Sequence, residues 1–324
     1  MKTLPPALLL MFAAAGHASE VLEAPSHRPG LQLRLRHTAS PRASDALPVL
    51  FVHGSSFPSA LAFDFKMDGR SWMDQLAAQG YDVYALDFLG YGLSDRYPEM
   101  AAGSAQPVGR ASEVYREIAA AVDLVLQKTG KQKVLLIAHS WGGSVAALYA
   151  QKFLAKVAKL VLFAAVTARE ETAARTTPAA SFEELTPAQR IAGMNGLTPA
   201  PNRPQLHADV FRNWGADWLR SDRAGVHGGM ATVRFRSGPS QDVDALRHGQ
   251  AYYDPSQIRS PTLLIRGEWD VYPNDRDFTG LYQRLRNAPY KQYVVIPKGS
   301  HVMHLEAARL ALYAEVLRFL DRAD

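Results

Sequence analysis

The sequence predicts an α/β fold, with a mostly parallel central sheet flanked by helices and one long insertion. Short apolar runs bounded by turn residues alternate with stretches of helical spacing, which is the rhythm of β–α–β units. One apolar run, residues 134–138, leads straight into Ser140, which is followed by small residues and a helical stretch. Between residues 167 and 258 the rhythm stops, and Pro, Gly, Arg and scattered aromatics replace it without a clean strand.

Residues 31–36 alternate apolar and polar side chains, as a half-exposed strand does. Residues 48–52 form a short apolar run ending at His53-Gly54, consistent with a strand buried on both faces. A helix is predicted over 71–79, stopped by Gly80. A strand over 81–88 ends in Gly90 and Gly92, and a long amphipathic helix over 111–128 is closed by Gly130. The strand 134–138, the helix 142–154 and the strand 160–166 complete the first half. After the break, residues 262–266 read as a buried strand, 275–286 as a helix, 293–296 as a strand and 305–320 as a final helix. The core is therefore expected from residues 19–166 and 259–324, with 167–258 as a helical lid over the carboxyl edge of the sheet.

The 324 residues are 47% apolar and 21% charged, a soluble composition with ample length for a large core. Cysteine is absent, which excludes disulfides, zinc–thiolate sites and a thiol nucleophile. The net charge of +5 comes with acidic residues mixed among the basic ones and no long basic run. That pattern describes a solvated surface, and no nucleic-acid partner is expected. At the N-terminus Lys2 precedes an apolar stretch from Leu4 to Ala15, and Gly16-His17-Ala18 supplies small residues at the positions a signal peptidase reads. Residues 1–18 are expected to be a signal peptide cleaved after Ala18, sending the chain to a periplasm or beyond. The stretch is shorter than the roughly 20 residues of a membrane span, and no other segment is apolar enough to cross a bilayer.

Ser140, after its strand and before its helix, has the layout of a nucleophile elbow. The elbow strains the serine, so its neighbours two positions away must be small, and they are Ala138 and Gly142. A serine hydroxyl needs a base to take its proton and a third group to orient the base. In an open parallel sheet such groups gather outside the carboxyl ends of strands. Asp270 follows the strand 262–266 in the turn Gly267-Glu268-Trp269-Asp270, and His301 follows the strand 293–296 in Lys298-Gly299-Ser300-His301. Two backbone donors are needed for the developing oxyanion. Trp141, after the nucleophile, supplies one; Ser55, or else Ser56, in His53-Gly54-Ser55-Ser56 supplies the other.

The chain order Ser, Asp, His and the motifs Val52-His53-Gly54, the run from Asp87 through Gly90-Tyr91-Gly92 to Asp95, Ala138-His139-Ser140-Trp141-Gly142-Gly143, Gly267-Glu268-Trp269-Asp270 and the run from Gly299 through His301 to Glu306 resemble the α/β-hydrolase superfamily. The resemblance covers residues 31–320 and points to the lid-containing serine hydrolase and esterase branch, with the lid after the sixth strand. It departs at Ala138, where the family pattern has glycine. It implies Ser140 as nucleophile, His301 as base and Asp270 as its orienting acid. The implied reaction needs no cofactor and cleaves a small or medium carboxylic ester ahead of amide, lactone or thioester bonds, with a small-molecule acyl substrate as partner. A cofactor-free perhydrolase or lyase use of the same triad, and a non-catalytic ligand-binding protein, are the alternatives. Haloalkane dehalogenases and epoxide hydrolases of the superfamily carry aspartate where Ser140 stands. Proline iminopeptidases and carbon–carbon bond hydrolases carry Gly-Pro-Gly where this chain has Ser55-Ser56-Phe57-Pro58.

Other polar residues compete for these roles. Glu268 lies before the position expected of the acid, and His304 rivals His301 from within the segment before the last helix. His53 and His139 read as structural, and Asp87, Gly90 and Gly92 as shaping a turn. His207, His227 and His248 have no metal-ligand spacing, so no metal is expected. Phe211, Trp214 and Trp218 share helical spacing and read first as lid packing. Ser56, Phe57, Trp214 and Trp218 are the candidate substrate contacts.

Overall fold

The structure is a computed structural model that describes residues 19–222 and 229–323. Residues 1–18, expected to be a signal peptide, and His227 lie outside the described residues. Ten strands are β1 (Glu20–Pro25), β2 (Gln32–Thr38), β3 (Val49–Val52), β4 (Val83–Asp87), β5 (Val134–His139), β6 (Val157–Phe163), β7 (Phe182–Leu185), β8 (Val233–Arg236), β9 (Thr262–Gly267) and β10 (Lys291–Ile296). Eight of them form one sheet in the order β1-β2-β4-β3-β5-β6-β9-β10. The pairs β1–β2 and β2–β4 are antiparallel, and the rest of the sheet is parallel.

Burial explains why these segments are strands. Every residue of β3, β4 and β5 is buried, as expected where helices cover both faces, so their sequences are continuous apolar runs. β2 lies nearer the edge and shows the alternation read from its sequence. β1 departs from the sequence expectation: Glu20-Val21-Leu22-Glu23-Ala24 shows no clean alternation, and only Leu22 and Ala24 are buried. The helix Trp72–Ala78 starts at Ser71, whose hydroxyl accepts from the Asp74 N–H while the Asp74 carboxylate accepts from the Ser71 N–H. The helix Ala111–Thr129 ends where Gly130 turns left-handed.

Three boundaries differ from the sequence expectation. The strand expected over 160–166 is β6, three residues earlier at both ends, because Ala164 adopts a positive φ of 47° and stops it. The last helix, expected from residue 305, is Arg309–Asp321; residues Met303–Leu305 form a separate 3-10 turn. The segment 167–258 is not strand-free, since β7 and β8 pair antiparallel in a ribbon of their own. Each is only four residues long; the pair Glu183-Glu184 breaks the alternation in β7, and in β8 the alternation Val233-Arg234-Phe235-Arg236 is too short to stand out.

The excursion between β6 and β9 carries that ribbon and the helices Pro187–Gly196, Gly215–Ser221 and Gly238–Arg247. It meets the loops at the carboxyl ends of the parallel strands. The Trp214 ring packs edge-on to Phe57, the Asp242 carboxylate accepts from the Trp141 indole N–H at 3.1 Å, and the Arg236 guanidinium lies over Phe88, Tyr91 and Trp141. No helix of the described residues is long and apolar enough to cross a membrane.

Candidate active site

β5 runs directly into the helix Trp141–Lys152, and Ser140 makes the turn between them. Its φ of 57° and ψ of −129° put a residue with a side chain in a strained region, and the surroundings hold it there. The Ser140 N–H donates to the Phe163 carbonyl at 2.9 Å, and its own carbonyl accepts from Gly143 and Val166. Gly142 is required by close approach: a β-carbon there would lie 2.0 Å from the His53 carbonyl oxygen. Ala138, where a glycine was the family expectation, is fully buried with its methyl accommodated.

The loops after β9 and β10 approach one another just as tightly. A β-carbon on Gly267 would meet the Gly299 carbonyl oxygen at 2.1 Å, and the Trp269 N–H donates to that same carbonyl. Their contact brings Asp270 and His301 together. The His301 Nδ1–H donates to Asp270 Oδ2 at 2.9 Å, and the Ser140 hydroxyl donates to His301 Nε2 at 2.8 Å. Asp270 is buried, and its second oxygen accepts from the Tyr272 N–H at 3.0 Å. Glu268 is exposed and accepts from the Lys298 N–H, so it does not compete.

Further residues fix His301. The His139 Nε2–H donates to the His301 carbonyl at 2.9 Å, so the residue before Ser140 holds the backbone of His301. Burial lowers the His139 imidazole well below its ordinary range, with the neighbouring His304 and His301 adding to the effect. The buried Glu306 accepts from both the N–H and the hydroxyl of Ser300. His304 is fully buried among Phe57, Phe63, His139 and Phe163, and neither ring nitrogen has a hydrogen-bond partner. Burial pushes its pKa down to about 3, so it is neutral and does not reach Ser140 as a base.

The loop after β3 presents two pinned peptide planes. His53 is neutral, its pKa pushed to about 4 by burial; its Nδ1–H donates to the Gly54 carbonyl, and its Nε2 accepts from the Phe88 N–H. The Tyr91 hydroxyl donates to the Ser55 carbonyl. In a trans peptide the N–H points opposite its carbonyl, so these two bonds orient the N–H groups of Ser55 and Ser56. Gly54, immediately before Ser55, is packed against Ser140: a β-carbon built on it would lie 3.1 Å from Ser140 Cβ. The Trp141 N–H, at the first turn of its helix, has no protein acceptor among the described residues. Asp87 is structural, accepting from Ser59 and Leu93 to shape the neighbouring turn.

Of the candidate substrate contacts, Ser56 and Phe57 are on the loop after β3 and are buried. Trp214 and Trp218 are fully buried packing residues, with the Trp214 indole donating to the Leu61 carbonyl, whereas Phe211 is exposed. Asp68, His207 and Asp209 do come together, with ligand-capable atoms within 4.8 Å of one another. Arg309 pairs with Asp68 and Arg212 with Asp209. No local spacing encodes the cluster, because 139 residues separate Asp68 from His207. Also unanticipated were Tyr91, Asp242, Arg236 and Arg190, whose contacts with the loops span long sequence separations and leave no local pattern.

An acid-bound imidazole touching a strained serine, with free backbone N–H groups beside it, can deprotonate that serine and stabilise negative charge on a substrate oxygen. Among curated proteins, the chain is 23% identical over 280 residues to the "Putative 2-succinyl-6-hydroxy-2,4-cyclohexadiene-1-carboxylate synthase" of Bacillus subtilis (strain 168), covering 83% of this chain and 88% of that one. Among solved structures, it resembles a hydrolase from Pseudomonas aeruginosa PA01 with a TM-score of 0.63 at 16% identity, covering 95% of this chain and 100% of that one. It also resembles a thioesterase domain from the curacin biosynthetic pathway, with a TM-score of 0.61 at 20% identity over 93% of this chain and 100% of that one. At these identities the solved structures establish the fold. Residues 49–314 match the model of the Alpha/beta hydrolase family, and the chain belongs to that family.

Proposed function

We propose that this hydrolase cleaves a carboxylic ester through Ser140, His301 and Asp270. The observation that carries the reading is the continuous hydrogen-bond path from Asp270 Oδ2 through His301 to the Ser140 hydroxyl, at 2.9 and 2.8 Å. Ser140 Oγ attacks the carbonyl carbon while its proton passes to His301 Nε2. The oxyanion accepts hydrogen bonds from the N–H groups of Trp141 and Ser55. Between Ser55 and Ser56, the packing of Gly54 against Ser140 favours Ser55. His301 then gives its proton to the departing alcohol oxygen, leaving an acyl group on Ser140. Water attacks that ester, its proton moves to His301 Nε2, and the acid leaves as the proton returns to Ser140. Asp270 holds the imidazole in the tautomer whose Nε2 is free and stabilises the imidazolium. We also propose export, supported by the N-terminal segment.

The test is turnover of a panel of acyl esters of graded size by the purified protein and its Asp270→Asn variant. Hydrolysis by the native chain with kcat lower by about 10⁴-fold in the variant is expected. A variant of near-native activity removes Asp270 from the mechanism; a native chain inert on every ester favours the lyase or binding alternatives.

A further inference from the structure

Arg190 is a cation the proposed chemistry leaves unused. It lies in the first turns of the helix Pro187–Gly196, which is held in orientation by a reciprocal cap between Thr186 and Gln189 and packs through Pro187 and Ile191 against Gly215. From there the guanidinium reaches the loops of the active site and sits 5.4 Å over the ring of Phe57, two residues after Ser55. Its charge bears on Tyr91, whose hydroxyl holds the Ser55 carbonyl, and on His139, the residue before the nucleophile.

The guanidinium is poorly compensated there. Its Nε is shut off from solvent and has no hydrogen-bond partner, and no carboxylate of the described residues is within ion-pair distance. The acid whose charge bears on it is Glu183, which makes no ion-pair contact and is itself drawn toward its protonated form by burial, with one carboxyl oxygen unpartnered. Burial lowers the Arg190 pKa to about 10, which leaves it charged at neutral pH. Arg190 is half-buried, and a partly desolvated guanidinium with no carboxylate in direct contact is under-compensated by its packing over Phe57 and the through-space charge of Glu183. Arg309, Arg212 and Arg110 elsewhere in the chain each meet an aspartate. The planar fork of an arginine matches a carboxylate through two parallel hydrogen bonds.

We propose that Arg190 is a specificity-determining residue that binds a carboxylate on the substrate, so that the preferred substrate is an ester that also carries a free carboxylate group. This rests on the ester-hydrolase reading for the bond that is cleaved, and adds to it the charge of the molecule that carries the bond. A neutral ester leaves Arg190 unpaired, whereas an anionic one supplies the missing partner and is held mainly through KM.

The test compares matched ester pairs. One pair places the carboxylate on the acyl side, mono-4-nitrophenyl glutarate against 4-nitrophenyl valerate. The other places it on the alcohol side, 4-(butanoyloxy)benzoate against its methyl ester. The native enzyme is expected to favour the carboxylate member of one pair by about 10- to 100-fold in kcat/KM, the scale of a charge-assisted hydrogen bond. Arg190→Met should erase that ratio, and Arg190→Lys should retain part of it. A purely structural arginine instead lowers both members of a pair together, so the ratio is the readout. No preference in the native enzyme, or a preference that survives in Arg190→Met, overturns the proposal while leaving the hydrolase reading standing. If no ester is cleaved, the hydrolase reading has failed, and calorimetric binding of glutarate and of benzoate decides the matter separately. Binding of either anion at least 10-fold weaker in Arg190→Met supports the anion site; equal binding, or none to the native protein, overturns it.

Discussion

In the sheet, β3, β4 and β5 are buried at every residue and their side chains are almost wholly apolar. In the segment between β6 and β9, β7 is half-buried throughout, and the attachment to the core adds buried charge to the apolar packing of Trp214 on Phe57: Arg236 beside Glu117, and Asp242 on Arg110, Ala111 and the Trp141 indole. Apolar burial is non-directional and tolerates many sequences, whereas a buried charge is favourable only in one arrangement of partners. The sheet therefore supplies a frame whose strand ends are predictable, and the inserted segment is locked onto it at a few polar points. Those points touch Trp141 and Tyr91, so the insertion also helps to shape the loops around Ser140.

The largest expected effect strikes one of these polar locks. Arg236→Met leaves the Glu117 carboxylate buried without its cation and should cost about 3–5 kcal/mol of stability, read from the denaturant midpoint. A cost under 1 kcal/mol would mean that the insertion is held by apolar contact, as the sheet is. Glycine substitution separates the two regions by sign. Gly142→Ala drives a β-carbon against the His53 carbonyl and should cost about 3 kcal/mol together with activity. Gly193→Ala, in the inserted helix with open space around it, should stabilise by about 0.5–1 kcal/mol. If both variants were neutral, the tight packing of the elbow would be wrong.

Between those extremes lies a pH effect confined to the frame. His53, His139 and His304 all have pKa values lowered by burial, to about 4 for His53 and about 3 for His304. Above pH 6.5 both folded and unfolded states are neutral at these positions. As pH falls below 6.5 the unfolded chain takes up protons the folded chain refuses, so stability is lost between pH 6.5 and about 4. Each such histidine should cost about 2 kcal/mol at pH 5 relative to pH 7. His304→Phe should therefore shrink the stability difference between pH 7 and pH 5 by about that amount. An unchanged difference would show that His304 is not held neutral.

The same contrast accounts for what could be read from the chain alone. Strands β3, β4, β5 and β9 were legible because burial on both faces imposes an apolar run, and the turns after them placed Ser140, Asp270 and His301 on one edge. β1 escaped notice because so few of its residues face the core, and β7 and β8 because each is four residues rich in charge. Arg190, Arg236 and Asp242 were invisible for a different reason. Each acts on residues roughly a hundred or more positions away, Arg236 on Leu89 being separated by 147, and no local period encodes such a pairing.

The proposed mechanism makes Ser140 a nucleophile activated by His301. A fluorophosphonate probe applied to the native protein, followed by mass spectrometry of the labelled peptide, reads that activation at the residue itself. One adduct is expected, on Ser140, and its loss together with ester cleavage in Ser140→Ala. Labelling that persists in Ser140→Ala, or a native Ser140 that takes no label, rules the mechanism out.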